Sequence, residues 1–564
     1  MHIPLLNRTL PLLPTLAAVS LFTGAATLMA FNLGTGAPDT PLSDALAVLE
    51  AKGRLALGKE AIRNPKDLVR FYRHRKGKPV WLDQGYPRID AWALLDAVGN
   101  ASLEGLEPED YHAHALDSLL RRFQGKLFRK TDVTPRTEAE LELLLTDAYL
   151  KMAAHLLSGR THPKSLSDKW HISMEVADLP GYLEQTLARG GEVRESLKRV
   201  APPQPEYGEM KYWLAEYRKI LARGGWPAIP PGGALGPGSQ GPRVNSLCQR
   251  LQIGGEMEKG DCLGDFTPDL KMALKGFQKH HGLDTTGTAD AVTLRRLNVP
   301  VEERINQIKL NMECWRWLPQ DLGERHVRVN IADFRLTAYE GRTEALNMRV
   351  VVGRKEDSTP VLSDRIVAVA LNPDWNVPPS IATEEILPEL REDPEYLARH
   401  GMELLAGWSD NARVLRADSI DWQGVDSADF KYRIRQKNGE TSALGRVKFV
   451  LTNPFNIYLH DTPSKSYFEK HRRALSHGCV RLERPLALAS WALGPDSEWD
   501  EAALEREISK GEAVSLKVPG KGIPVYILYW TAFVDNQGGL QFRNDVYGWE
   551  RTLEEALQEK ARSF

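Results

Sequence analysis

The sequence predicts a multidomain α+β protein, in which a helical scaffold and a small three-helix module precede a mostly-β domain. Its 564 residues suffice for about three or four domains. Hydrophobic residues recur with helical spacing up to about residue 300, and they alternate as in strands from about His326. A stretch rich in proline and glycine, residues 224–242, separates two helical parts and marks a domain boundary.

Residues 1–36 predict a secretory signal peptide or an N-terminal membrane anchor. An apolar region runs from Leu10 to Phe31 and is about as long as a membrane span. Small residues around Ala25 and Ala30 permit cleavage, so both alternatives stay open. Either one predicts an exported protein in the periplasm or cell envelope, attached to the inner membrane if the segment is retained.

Residues 40–232 predict the helical scaffold domain. A long amphipathic run at residues 138–157 carries leucines on one side, and a glycine and a proline at residues 159 and 163 end it. Residues 182–200 and 212–221 predict further helices. The histidines of this region are scattered along the chain, so the sequence predicts no metal site and no cofactor.

Residues 240–299 predict a compact unit of three helices, followed by a connecting helix at residues 300–320. Thr267 or Asp265 is expected to cap the second helix, whose first turn contains a proline. Cys248 and Cys262 lie within this unit and are predicted to form a disulfide in an oxidising compartment. Cys314, in the connecting helix, is predicted to be a buried free thiol.

Residues 321–535 predict the mostly-β domain, followed by a C-terminal tail and helix at 536–564. Residues 381–445 interrupt the β pattern with predicted helices at 381–390 and 395–400, and we interpret them as an insertion that covers a site. Surface decoration is the alternative, because long insertions are thermodynamically tolerated. A strand pair is expected within residues 525–534.

Residues 458–484 carry the chemistry. His460 follows an apolar run, and fifteen residues separate it from Ser476-His477-Gly478-Cys479. A cysteine nucleophile needs a base, a group that orients the base, and N–H donors for an oxyanion. His460 can take the thiol proton, and the amides of Gly478 and Cys479 can face an oxyanion. A predicted helix at residues 485–493 suggests that the nucleophile lies where a loop enters a helix, a position that favours a thiolate.

A lone cysteine or histidine is usually a packing residue, but the joint pattern favours a catalytic pair. The order of His460, a spacer and the run SHGCxR resembles the signature of the L,D-transpeptidases, the YkuD-type cysteine enzymes of peptidoglycan. Its multidomain periplasmic YcbB-like branch is more similar still, with segments like residues 372–380 and 524–535. Arg481 departs from the wider family, in which many members have asparagine.

The resemblance implies a peptidoglycan transpeptidase that forms 3→3 cross-links without a cofactor. Cys479 would attack a tetrapeptide stem, release D-Ala and pass the acyl group to a second stem, with His460 as base. The resemblance also implies roles in orientation or oxyanion binding for Gly478, Asp461 through its carbonyl, Ser476 and His477. It implies substrate contacts for Tyr458, Trp375, Arg481 and Asn372. The unit at 240–299 resembles a peptidoglycan-binding domain, with a non-binding spacer as the alternative.

Other functional classes are weighed against this one. A net charge of −2 and the lack of a nucleotide-binding fingerprint argue against a nucleic-acid partner. An L,D-carboxypeptidase would use the same residues but send the thioester to water. A cell-wall binding or scaffold protein with an inactive domain is the third reading, and the intact His460, Gly478 and Cys479 argue against it. Peptidoglycan stem peptides are the expected partner, and other cell-wall enzymes are compatible with the sequence.

Overall fold

A computed structural model describes residues 41–126, 133–409 and 411–562. The segment predicted as a signal peptide or anchor, residues 1–36, lies outside these residues. None of the described helices combines the length and the hydropathy that a membrane crossing requires.

The scaffold is a helical bundle around the long helix Pro135–Ser158. Thr134 caps this helix, because its hydroxyl accepts a hydrogen bond from the Thr137 N–H at 3.3 Å. The helix predicted over residues 182–200 is two helices, since Gly190 and Gly191 adopt φ values of 68° and 72° and break it. The scaffold helices are Pro41–Lys52, Pro65–His74, Ile89–Gly99, Ala113–Lys126, Pro135–Ser158, Pro163–Leu166, Leu179–Arg189, Val193–Val200 and Pro205–Ala222.

A buried charge cluster joins distant parts of the scaffold. His112 is fully buried, with Nδ1 2.6 Å from Glu60 Oε2 and Nε2 2.9 Å from Asp147 Oδ2. Burial acts to lower the pKa of His112, but the hydrogen bonds with Asp147 and Glu60 outweigh it and raise that pKa above 6.5. The same hydrogen bond from His112 lowers the pKa of Glu60. The cluster therefore favours the protonated form of His112, which lies between the two carboxyl groups.

The substitution His112→Ala is expected to destabilise the scaffold by about 3–5 kcal/mol, because it leaves the buried Asp147 carboxylate without its cation. Urea denaturation measures this, with the exposed His74→Ala as a matched control. Since the folded-state pKa of His112 is raised, its stabilisation is complete below pH 6.5 and is lost as the pH rises through the folded-state value. The difference between the two proteins should therefore shrink in alkaline buffer, and a constant difference would contradict the assignment.

The three-helix module has a hydrophobic core of its own, and its helices are Pro242–Ile253, Pro268–His280 and Ala291–Leu297. Thr267, and not Asp265, caps the second helix, since its hydroxyl accepts from the Leu270 N–H at 3.1 Å. The predicted disulfide between Cys248 and Cys262 is confirmed, with Cα atoms 5.8 Å apart. It ties the first helix to the loop that follows.

The catalytic domain is built on a curled mixed sheet. Its strands lie in the order Val514–Lys517, Ala368–Leu371, Val447–Val450, Leu459–His460, Val480–Leu482, Thr343–Gly353, Arg335–Glu340, Arg325–Asn330, Ile523–Leu528, Val361–Ile366 and Trp170–His171, and Ala474–Ser476 pairs separately with Thr343–Gly353. Helices Pro485–Leu493 and Glu501–Ile508 follow the nucleophile region. This arrangement confirms the predicted fold class.

The scaffold and the catalytic domain share one continuous hydrophobic core. Scaffold strand Trp170–His171 pairs in parallel with the start of Val361–Ile366, at the edge of the catalytic sheet. The connecting helix Val301–Trp315 is buried between the two domains, and Cys314 on it is a buried free thiol, as predicted. Boundaries drawn from composition therefore separate segments that pack as one body.

The insertion differs from its prediction because it contains a sheet as well as helices. Strands Trp375–Asn376, Arg433–Gln436, Met402–Leu405 and Val414–Leu415 pair in that order. Its helical segments are Pro379–Ile381, Ala382–Ile386, Leu387–Glu392 and Tyr396–Arg399. These elements enclose a separate hydrophobic core. The strands are too short for a clear alternation, which explains why only helices were predicted for the insertion.

The prediction for the C-terminal region also needs correction. Strands Ile523–Leu528 and Ala532–Val534 do not pair with each other, because the second pairs with Leu540–Phe542. Residues after 536 are thus part of the folded domain and not a tail. Helix Trp549–Arg562 closes the chain, and Tyr547 just before it reaches the nucleophile region.

Candidate active site

Strand pairing gathers five polar side chains on one face of the sheet. His460 pairs with Lys448 on one neighbouring strand and with Arg481 on the other. Paired residues share a face and side chains alternate along a strand, so Tyr458 and Cys479 project from that face too. The Cα atoms of His460 and Cys479 are about 8 Å apart by strand spacing, which brings their side chains within reach of each other. We call the face of the sheet that holds these five residues the reactive face.

A tight turn presents the nucleophile. Gly478 has φ 107°, a conformation that favours glycine. The Ser476 hydroxyl, which is buried, accepts from the Gly478 N–H at 3.2 Å and donates to the Cys479 carbonyl at 2.6 Å. The predicted use of the Gly478 N–H as an oxyanion donor is therefore corrected. The Cys479 amide makes no hydrogen bond within the described residues, which leaves it as the available donor.

A second layer of hydrogen bonds fixes this turn. Thr359 Oγ1 donates to the Gly478 carbonyl at 2.7 Å and accepts from the Gly353 N–H at 2.8 Å. The Tyr547 hydroxyl donates to the Gly353 carbonyl at 2.6 Å. A Cβ atom at Gly353 would lie 2.0 Å from the Asp357 carbonyl oxygen, so this strand end requires glycine. Sequence reasoning did not identify Thr359 or Tyr547, since neither belongs to a local pattern.

The environment of the thiol differs from the prediction. A strand, Val480–Leu482, lies between Cys479 and helix Pro485–Leu493, so the nucleophile is not at a helix N-terminus. Burial raises the pKa of Cys479 above 9.0, and hydrogen bonding from Tyr458 and the charge of Lys448 only partly oppose it. The resting nucleophile is therefore a neutral thiol.

The base is also neutral at rest. His460 is 5% exposed, and burial, with the Arg481 guanidinium second, lowers its pKa from 6.5 to about 3. The carbonyls of Asp461 and Leu444 oppose this shift from beside the ring, although Nδ1 makes no well-formed hydrogen bond. The Asp461 carboxylate does not face the base, since it accepts from Lys465 Nζ at 2.5 Å. The predicted orientation of His460 by the Asp461 carbonyl agrees with this geometry.

Tyr458 lies beside the thiol, and Trp375 lies beside the Tyr458 hydroxyl. Burial raises the pKa of Tyr458 well above its usual value, and the Cys479 thiolate acts in the same direction, whereas a hydrogen bond from Trp375 opposes it. The Tyr458 hydroxyl is therefore next to both residues. The Tyr458 ring centroid lies 5.6 Å from that of His460 and 3.9 Å from Lys448 Nζ.

The two other predicted substrate residues, Arg481 and Asn372, lie in different places. Arg481 lies on the reactive face, makes no ion pair or hydrogen bond within the described chain, and has a buried, unpartnered Nε. Asn372 is turned away, because its side-chain amide donates to the carbonyls of Ile508 at 2.8 Å and Glu512 at 3.1 Å. Its φ of 47° also indicates a structural turn. The assignment of Asn372 to substrate binding is therefore wrong.

His477 connects the nucleophile turn to the insertion. Its Nε2 lies 2.5 Å from Glu385 Oε1, on the helical part of the insertion, and Arg354 Nη2 lies 3.2 Å from the same oxygen. The insertion thus borders the site through Trp375 and through Glu385. Its predicted position beside the active site agrees with these contacts.

Lys448 was missed by sequence reasoning. The sequence feature that could have identified it is the alternation in Val447–Val450, where Val447 and Phe449 are buried on the other face.

A cavity of about 1210 Å³ between the scaffold, module and catalytic domain contains none of the reactive-face residues. No group of three or more histidine, cysteine, aspartate or glutamate side chains in the described ranges could hold a metal ion.

Comparisons with known families divide the chain into three matched parts. Residues 66–214 match a scaffold domain, residues 240–297 match a family described as "putative peptidoglycan binding domain", and residues 324–527 match the L,D-transpeptidase catalytic domain of YkuD type. The last match contains every residue of the reactive face.

Similar proteins include a curated relative and solved structures. A Haemophilus influenzae protein described as "Putative L,D-transpeptidase" is 36% identical over 253 residues, which are 45% of this chain. The chain spans about half, 50%, of that protein's length. Solved L,D-transpeptidases from Xylanimonas cellulosilytica and Mycobacterium tuberculosis are each 15% identical, with TM-scores of 0.17 and 0.19. They cover 53% and 36% of this chain and 99% and 61% of their own.

Proposed function

We propose that this protein, whose residues 324–527 are an L,D-transpeptidase catalytic domain, forms 3→3 cross-links in peptidoglycan through an acyl-enzyme on Cys479. The observation that carries the proposal is the reactive face, where a thiol, a neutral imidazole and a free backbone N–H lie together. The donor is a tetrapeptide stem with a diamino acid at its third position. The acceptor is the side-chain amine of another stem.

The first half-reaction makes a thioester. A ring nitrogen of the neutral His460 imidazole takes the proton from the Cys479 thiol. The sulfur attacks the carbonyl of the third residue, and the Cys479 amide donates to the oxyanion that forms. When the C–N bond breaks, the imidazolium gives its proton to the nitrogen of the departing D-Ala.

The second half-reaction transfers the acyl group. The acceptor amine attacks the thioester carbonyl and loses a proton to His460. The C–S bond breaks, and the Cys479 sulfur leaves and regains that proton from the imidazolium. Both partners return to their neutral forms, which are the stable forms in this environment. The cycle needs no other reagent.

Arg481 is proposed to bind a carboxylate of the stem peptide. Its guanidinium is largely desolvated and lies 5.8 Å from the centroid of the Tyr467 ring, but no carboxylate pairs with it within the described residues, and a desolvated cation without an anion is unfavourable. A carboxylate can accept two parallel hydrogen bonds from a guanidinium. Donor stems carry carboxylates close to the bond that is broken, so such a ligand would satisfy this residue.

A product assay tests the proposal. The protein is incubated with purified disaccharide-tetrapeptide, and the products are read by mass. A dimer of the donor minus one D-Ala is the expected result. Tripeptide alone would replace the proposal with an L,D-carboxypeptidase, since water would then take the acyl group. Unchanged substrate with folded protein would favour a cell-wall binding protein.

The remaining proposals concern location and attachment. We propose that the chain is exported and that residues 240–299 hold it on peptidoglycan. The Cys248–Cys262 disulfide supports export, since such bonds persist in oxidising compartments. Cell fractionation that finds the mature protein only in the cytoplasm would contradict it. Failure of purified sacculi to retain residues 240–299 would make the module a spacer.

A further inference from the structure

Lys448 is the least explained charge on the reactive face. It belongs to strand Val447–Val450 and pairs directly with His460. Its Nζ lies over the Tyr458 ring, 3.9 Å from the centroid, and the Tyr458 hydroxyl lies beside the Cys479 sulfur. The ammonium therefore stands one aromatic ring away from the nucleophile.

No carboxylate neutralises this lysine. Within the described residues Lys448 makes no ion pair and no hydrogen bond. Lys465 differs from Lys448 in having a carboxylate partner, because its Nζ lies 2.5 Å from the Asp461 carboxylate. The other fixed charge on the reactive face, Arg481, is also positive. A half-buried ammonium that lies over an aromatic ring but has no carboxylate partner is incompletely compensated unless an anion forms nearby.

The anion that the chemistry creates at this position is the Cys479 sulfur. Each half-reaction passes through a state in which the sulfur carries negative charge, once when it attacks and once when it leaves. We propose that Lys448 is an electrostatic residue of the active site, whose ammonium stabilises the negative charge that develops on Cys479. The inference concerns the thiol itself, and it stands whether or not the acyl acceptor is another stem.

The surrounding charges agree with this role. Burial lowers the pKa of Lys448, and interaction with the Cys479 thiolate opposes that shift. Burial likewise raises the pKa of Cys479, and the charge of Lys448 opposes it. The other groups that face the sulfur are Tyr458, His460 and Arg481, while His477 is turned to Glu385. Lys448 is thus one of two fixed cations acting on the sulfur.

The test measures the ionisation of the thiol without any substrate. Full-length protein is alkylated with iodoacetamide across a range of pH, and modification of the Cys479 peptide is quantified by mass. Iodoacetamide is uncharged, so its reaction does not depend on a carboxylate-binding site. Of the other cysteines, Cys248 and Cys262 are bridged and Cys314 is buried. The signal therefore reports Cys479.

The variant Lys448→Met should move the midpoint of the alkylation profile to higher pH by about one unit, as expected for loss of a nearby opposite charge. Below the midpoint this is about a tenfold slower reaction. Lys448→Arg keeps the charge and should stay close to the unmodified protein. The exposed Lys521→Met is the matched control and should not shift.

Several outcomes would overturn the proposal. An unshifted Lys448→Met profile in a folded protein would remove the electrostatic role, even if cross-linking were lost, and would make Lys448 a substrate contact. An equal shift in Lys448→Arg would indicate packing instead of charge. Lys448→Gln, which is also uncharged but keeps a polar group at the end of the side chain, provides the same reading if Lys448→Met does not fold. A shift with no cross-linked product would uphold this inference while overturning the proposed transpeptidase.

Discussion

Cys479→Ala is expected to abolish both acyl-enzyme formation and cross-linked product. The variant removes the only atom on the reactive face that can form the thioester, and the fold should tolerate it because the turn is held by Ser476 and Thr359. The loss should be complete in the product assay, since burial raises the pKa of the neighbouring Tyr458 hydroxyl well above its usual value and keeps it protonated. The readout is the amount of dimer formed from disaccharide-tetrapeptide.

Cys314→Ala is the matched control. Cys314 is the other free cysteine among the described residues, and it is buried in the connecting helix away from the reactive face. Its removal should leave product formation within about twofold of the unmodified protein, provided the small cavity costs little stability. Residual cross-linking by Cys479→Ala, or its loss in Cys314→Ala, would contradict the assignment of the nucleophile.

His460→Ala is expected to slow acylation by about 10²–10⁴-fold, the usual contribution of a positioned general base. The effect should be large because the thiol is neutral at rest and needs a proton acceptor. The exposed His74→Ala is the control and should not change the rate. Acylation is followed by intact-protein mass.

The pH dependence adds a second check on the base. The pKa of His460 is lowered to about 3, so the imidazole stays neutral in mildly acidic buffer. Acylation by the unmodified protein should therefore not decline through protonation of this histidine between about pH 7 and about pH 5. A decline with a midpoint near the ordinary histidine value, absent from His460→Ala, would show that the ring is not desolvated as described.

The sequence predicted the nucleophile and the base but not how the sheet arranges them. The spacing of His460 and Cys479 is visible in the local sequence. In the structure it corresponds to two neighbouring parallel strands, one ending at His460 and the other following Cys479. Lys448 joins them only through the pairing of its strand with that of His460, which no spacing reveals. Such long-range register depends on the whole sheet, and one sequence does not contain it explicitly.

The incorrect sequence-based predictions have similar causes. Asn372 lies in a segment that matches the family, yet its amide serves the backbone near Ile508. The thiolate-stabilising helix was predicted from residues 485–493, but a three-residue strand separates it from Cys479. The insertion's short strands carry too few residues for alternation to be visible. In each case the local pattern was identified correctly, but the local sequence does not show which tertiary contacts surround it.

The central claim is that a donor stem becomes attached to the Cys479 sulfur. The most direct test incubates the protein with disaccharide-tetrapeptide, stops the reaction in acid, digests the protein and maps the added mass. The account predicts the donor minus D-Ala on the peptide that contains Cys479, and its disappearance when acceptor stems are added before the acid. Cross-linked product without this adduct, or the same adduct on another residue, would contradict the account.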